Sequence, residues 1–147
     1  MVKTVMIVGG QRKNLPFFWL AEFPGTERGK MYCQINAGGL YGLQSYVAQV
    51  EVDISKGLPC FDMVGLLDSE VREARERLRV SLHHINAALP AEKITVNYSP
   101  AGIVKSGTSF DLPTALVILA AQGKVPPERL KELWACLLYK SPSPRDA

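Results

Sequence analysis

The run Lys105-Ser106-Gly107-Thr108-Ser109-Phe110-Asp111-Leu112-Pro113 passes without a break into the apolar segment Thr114 to Ala121. Just upstream, Lys93 to Tyr98 alternates and is rich in β-forming residues, whereas Leu112, Leu116, Leu119 and Ala120 recur at helical spacing. The pattern is a strand, a tight polar loop, then a buried helix. Gly107 permits a sharp turn, Ser109 or Asp111 offers an oxygen to the free backbone donors of a first helical turn, and Pro113 is tolerated only near a helix start. The helix is therefore expected to begin at Phe110 or Asp111. Such a loop suits an anion site, a nucleophile turn or simply a well-made cap, and these residues alone do not choose among them.

Immediately before this unit, Asp68 stands at an N-cap position with Glu70 in the following turn. A helix is expected from there to Ala87 or Ala88, ahead of Pro90. Val71, Ala74, Leu78, Leu82 and Ile85 form one apolar stripe. At 100° per residue, Arg72, Arg75, Arg79 and His83 share one flank of that stripe, and Glu70, Glu73, Arg77 and His84 share the other. A solvated face with an i, i+4 pair such as Glu73 to Arg77 is the commoner meaning of such charges. The functional alternative is a DNA or subunit contact through Arg72, Arg75 and Arg79. His83 and His84 are adjacent and diverge, so one helical turn cannot aim both at a metal ion.

Further upstream, Tyr32 to Ala37 and Tyr46 to Ile54 read as strands joined by a glycine-rich connection, Gly38 to Gly42. The second alternates strictly, with Val50, Val52 and Ile54 on one side and Gln49, Glu51 and Asp53 on the other. Ser55 to Pro59 makes a turn and Cys60 to Val64 returns, so these two strands are expected to form a hairpin. Downstream, Gly123 closes the buried helix and Pro126-Pro127 opens a short one through Leu133. The chain order is β-β-β-α-β-α, an α+β fold with its helices on one face of a sheet.

The ends are less regular. Val2 to Val8 has strand character, but Gln11 to Lys30 has no consistent period. No GxGxxG follows the first strand, and Gly25 to Lys30 is one residue short of a phosphate loop, with Met31 where Ser or Thr would hold magnesium. Residues 1–30 are read as an upstream extension outside the domain, residues 31–133 as the domain, and residues 134–147 as a non-native or disordered tail ending in Ser141-Pro142-Ser143-Pro144.

Composition narrows the class. With 147 residues and 47% hydrophobic content the chain can bury a real core. A net charge of +3 and a pI near 8.8 are compatible with nucleic acid without requiring it. Cys33, Cys60 and Cys136 are odd in number and widely spaced, which suits reduced thiols. No apolar run reaches the roughly 18 residues of a membrane span. A soluble, cytoplasmic protein is expected, with no membrane partner, no metal site and no cofactor of its own.

Three runs together carry a family resemblance: Gly39-Leu40-Tyr41-Gly42 with Val50-Glu51-Val52-Asp53; Phe61 to Leu66 with Val71 to Arg77; and Ile94-Thr95-Val96-Asn97 with Ser109 to Pro113. Over Met31 to about Leu133 the chain resembles the N-terminal domain of the YifB/ComM family of magnesium-chelatase-like AAA+ ATPases. The resemblance implies a Lon-protease-domain-like fold, akin to the second domain of a small-subunit ribosomal protein. It implies a parent that is a hexameric, ATP- and magnesium-dependent DNA helicase driving branch migration in natural transformation, with DNA as partner. It does not imply porphyrin metallation. The chain departs from a full-length member in having no Walker A motif, no Walker B strand and no arginine finger, and so reads as a fragment with no catalytic residues of its own. Two alternatives differ in class. In one, Lys105 to Ser109 resembles the loop bearing the nucleophilic serine of Lon, although the family's downstream lysine has no counterpart and Phe110-Asp111 replaces small residues. In the other, the domain is a free-standing nucleic-acid binder resting on Arg72, Arg75 and Arg79.

Overall fold

The structure, a computed structural model, describes residues 3–9 and 32–139 of the chain. The elements run β1 (Lys3–Gly9), β2 (Tyr32–Tyr41), β3 (Gln44–Ser55), β4 (Cys60–Val64), α1 (Ser69–His84), β5 (Lys93–Ser99), α2 (Asp111–Ala121), α3 (Pro127–Leu130) and β6 (Leu133–Tyr139). The six strands form one mixed sheet in the order β1-β6-β2-β3-β5-β4. The pairs β2–β6 and β4–β5 are parallel, and the remaining neighbours are antiparallel. This is the expected α+β class. From Tyr32 to Ala121 the element order is β-β-β-α-β-α, with a strand before it and a short helix and a strand after.

Alternation decides which face of the sheet is buried. Cys33, Ile35 and Ala37 of β2, Ala48, Val50, Val52 and Ile54 of β3, and Ile94, Val96 and Tyr98 of β5 point to the same side. There they meet Val71, Ala74, Leu78 and Leu82 of α1 and Val117, Ile118 and Ala120 of α2 in a single core. Each fully buried aliphatic contributes about 1.5 to 3 kcal/mol, most of it offset by the entropy of ordering the chain. The opposite face has no helix over it among the described residues.

Three expectations need correction. β3 and β4 do not form a hairpin: β5 lies between them, antiparallel to β3 and parallel to β4. The short β4 is half-exposed or exposed along its whole length and suits an edge, whereas β5 has an apolar inward row able to sit between two neighbours. The β2–β3 connection is tighter than expected, because pairing continues to Tyr41↔Gln44 and leaves only Gly42 and Leu43 in the turn. Gly39 is instead a strand residue lying under the Tyr46 ring, where an added Cβ would approach a ring carbon to 2.4 Å. Ile85 does not complete the α1 stripe. Asn86 adopts φ 57°, the helix stops at His84, and Ile85 is exposed.

The sheet also extends past residues 31 and 133. Leu133 to Tyr139 pairs with β1 on one side and with β2 on the other, so a strand stands where a tail was expected to start. The short helix correspondingly ends at Leu130 rather than Leu133. The Gly25 to Lys30 loop and the Ser141 to Pro144 segment lie outside the described residues.

The close approach at Gly39 predicts that Gly39→Ala costs about 1 to 3 kcal/mol by overpacking against Tyr46. In chemical denaturation the pair Gly39→Ala and Tyr46→Ala should be non-additive by at least about 0.5 kcal/mol, since Tyr46→Ala removes the obstacle. Additive losses would show that the ring does not lie over Gly39.

Candidate functional site

The loop between β5 and α2 meets the start of α1 through backbone bonds. Lys105 N–H donates to Leu66 O at 2.8 Å and Asp68 N–H donates to Lys105 O at 3.1 Å, a short parallel bridge that places Leu67 beside Lys105. Asp68 caps α1 as expected, its Oδ1 accepting from Val71 N–H at 2.9 Å. Gly107 takes φ +75°, which lets the loop turn toward α2.

Lys105 is 0% exposed, and its Nζ donates to the Pro100 carbonyl. Among the described residues no carboxylate is paired with it. Burial pushes its amine below the ordinary lysine range. A buried amine of this kind has the chemistry of a general base, but geometry is the prior requirement. Among the described residues no hydrogen bond joins the Ser109 hydroxyl to Lys105 or to a histidine. His83 and His84 lie at the far end of α1, about 20 Å along the helix from Asp68. Their rings are 6.3 Å apart and nearly perpendicular, and His84 Nδ1 lies 2.8 Å from the Val80 carbonyl.

Ser109 is not the cap expected of it. The N-cap of α2 is Phe110, with no side-chain capping bond, and Asp111 N–H donates instead to Thr108 O at 3.1 Å. The backbone turn satisfies that donor before a hydroxyl is needed. Phe110 is buried, edge-on to Tyr98 at 6.0 Å. The Tyr98 hydroxyl and Thr114 Oγ1 lie 2.9 Å apart, and Thr114 also donates to Phe110 O at 2.7 Å. Burial raises the Tyr98 phenol well above its ordinary pKa, so it stays protonated.

Asp111 has a different task from capping. Its carboxylate is held by Arg77 through two bonds, Nε to Oδ2 at 2.6 Å and an Nη to Oδ1 at 3.0 Å. Arg77 also donates to Glu70 O at 2.8 Å and lies 4.0 Å from Glu73, so the expected Glu73 pair is the weaker of its contacts. A fork-shaped guanidinium against a nearly buried carboxylate is strong and direction-specific. The pair lines a groove of about 580 Å³ between α1 and α2, together with Leu78, Ser81, Leu112 and Ala115. Sequence reasoning placed Arg77 on the correct flank but could not name a partner thirty-four positions away.

Arg72, Arg75 and Arg79 are all exposed on the flank turned away from α2. Glu76 sits among them: Arg79 reaches it at 2.9 and 3.1 Å and Arg75 at 3.5 Å. Among the described residues no three His, Cys, Asp or Glu side chains gather to hold a metal ion, and no helix is long and apolar enough to cross a membrane.

Comparison with known proteins bears on what this scaffold is. Residues 50–137 match the family described as subunit ChlI of Mg-chelatase, which is more than half of the chain. The chain belongs to this family. The ChlI match takes in most of β6, in keeping with that strand's place inside the sheet. Among curated relatives, the protein named YifB of Escherichia coli is 43% identical over 91 residues and the competence protein ComM of Haemophilus influenzae 42% over 91 residues. The YifB protein of Salmonella typhimurium is 40% identical over 90 residues. The YifB/ComM resemblance is thereby upheld. The matches cover 62%, 62% and 61% of this chain, which spans about a fifth of the relatives' length, 18% in each case.

Two outcomes follow from the geometry. Arg77→Ala should cost about 2 to 3 kcal/mol, because it strips the nearly buried Asp111 carboxylate of two charge-assisted bonds, and Asp111→Asn about 1 to 2 kcal/mol, because Arg77 keeps its contacts with Glu70 and Glu73. Ser109→Ala should cost less than about 0.5 kcal/mol, since no cap is lost. Thermal or urea unfolding checks both, and equal losses at the three positions would contradict the division of labour.

Lys105 predicts a pH effect. Its folded pKa is depressed, so at neutral pH the unfolded chain binds that proton more tightly, and the resulting penalty fades as pH rises toward the ordinary lysine value. Relative to Lys105→Met, the wild-type chain should therefore gain stability from about pH 7 to about pH 9.5. A flat difference in denaturation curves would mean that the amine is solvated.

Proposed function

We propose that this chain is an accessory domain of a YifB/ComM-type, ATP-driven DNA motor, with a Lon-protease-domain-like fold and no peptidase activity. Membership of the ChlI family and the likeness to a competence protein support the parent. The observation that carries the accessory role is the use of the candidate catalytic loop: Lys105 is bonded to Pro100, Leu66 and Asp68, and Asp111 to Arg77, which leaves Ser109 without an activating base among the described residues. A serine without a base is not a nucleophile at neutral pH. ATP and magnesium belong to the parent's motor module, DNA is the parent's substrate, and a hexamer is its assembly. The cytoplasm is its compartment.

In this reading Arg72, Arg75 and Arg79 contact a neighbouring subunit rather than DNA. Glu76, held between two of the three arginines, lowers the flank's net charge and so the number of counterions that binding a phosphate backbone would release. A protein partner tolerates and can use such mixed charge.

The test has two arms. Fluorophosphonate labelling and casein digestion should both be negative, and stoichiometric labelling lost in Ser109→Ala would instead establish a peptidase. Fluorescence anisotropy with duplex DNA across a salt series should give a slope that the Arg72→Ala/Arg75→Ala/Arg79→Ala variant changes by less than about one ion. A fall of about two to three would assign the flank to DNA.

A further inference from the structure

The sheet face that no helix covers among the described residues is organised. Register sets Tyr32, Asp53, Thr95 and Asp62 in one row across β2, β3, β5 and β4, and Gln34, Glu51, Asn97 and Val64 in the next. Asp53 and Asp62 are exposed, and Glu51 accepts from Asn97 Nδ2 at 3.1 Å. Across one intervening strand, Asp53 and Asp62 stand about 10 Å apart. Lys93 is the basic residue on the same face of these strands, so the row region is net acidic. Toward the other side of the face, Trp134 is 43% exposed and Val47 49%, flanking a hollow of about 350 Å³ above Gly38, while Tyr32 is 51% exposed at the end of the acidic row. Tyr32 beside Asp53 sets an aromatic ring next to a carboxylate, and exposed apolar side chains lie further along the same face, a mixture suited to a protein partner.

The same chain carries a matching surface. Arg72, Arg75 and Arg79 project from one flank of α1, in the layer on the other side of the sheet, and seven helical positions separate the first from the last, about 10 Å. That span is close to the spacing of Asp53 and Asp62, and a guanidinium fork is suited to a carboxylate, as Arg79 already shows with Glu76 on its own helix. Two like-charged copies of either surface would repel, whereas unlike surfaces attract.

We propose that the uncovered sheet face of one copy, through Asp53, Asp62 and Glu51, docks the Arg72, Arg75 and Arg79 flank of a second copy. The contact joins different surfaces on the two partners, so each copy keeps one surface of each kind for a further neighbour. The proposal rests on the reading of the arginine flank as a subunit contact and adds the surface it meets.

The test is sedimentation velocity on the full 147-residue chain after nuclease treatment, at about 50 mM and about 500 mM salt. Concentration-dependent association is expected at low salt and should weaken at least about tenfold at high salt. Arg72→Glu/Arg75→Glu/Arg79→Glu and Asp53→Arg/Asp62→Arg should each be monomeric alone. Mixed in equal amounts they should associate, because the reversed surfaces again match. All five positions are exposed, and circular dichroism verifies that each variant stays folded. Loss of association in the arginine variant alone would leave the subunit reading standing and overturn the sheet face as partner. A wild-type chain that stays monomeric at low salt, or that associates only before nuclease treatment, would overturn the proposal.

Discussion

Lys105 is the residue on which the arrangement of the helical layer depends. Its N–H and C=O bond to both sides of the β4–α1 connection, and its amine reaches back to the carbonyl of Pro100. One residue thus ties the end of β4, the start of α1 and the exit from β5. Burying an amine without a carboxylate is costly, and burial lowers its basicity in response. The backbone bridge on either side of the residue keeps the chain path that holds it there.

A second tie complements the first. Arg77 joins the middle of α1 to the first turn of α2 through Asp111, so the two helices are fixed at both the loop and the flank. These two ties occupy Lys105 and Asp111, the charged groups of the run that looked catalytic, and leave Ser109 without an activating base among the described residues. A loop on a helix start has the shape of an anion site or a nucleophile turn, but shape without an activated group does no chemistry. Among the described residues, the outside of the two layers offers partners an arginine flank on α1 and a sheet face that is acidic around one row and apolar near β6.

Much of this was legible in sequence because the relevant forces are local. The Asp68 cap, the apolar stripe from Val71 to Leu82 and the alternation of β3 and β5 each depend on residues within a few positions of one another. The Ser109 cap failed for an equally local reason, since the backbone carbonyl of Thr108 took the donor that the hydroxyl was expected to satisfy. β6 was missed because its apolar run Leu133 to Tyr139 has no partner nearby in sequence. It becomes a strand only where β1 and β2 flank it.

The sequence by itself determined the α+β class, the elements from β2 to α2, the family and the grouping of Arg72, Arg75 and Arg79 on one flank, because helical and strand periodicities are properties of short windows. Tertiary structure alone decided that β5 separates β3 from β4, that Arg77 holds Asp111, that Lys105 is buried, and that Asp53 and Asp62 stand in one row. Each of these joins residues distant in the chain, and periodicity says which face a residue takes but not which neighbour it meets.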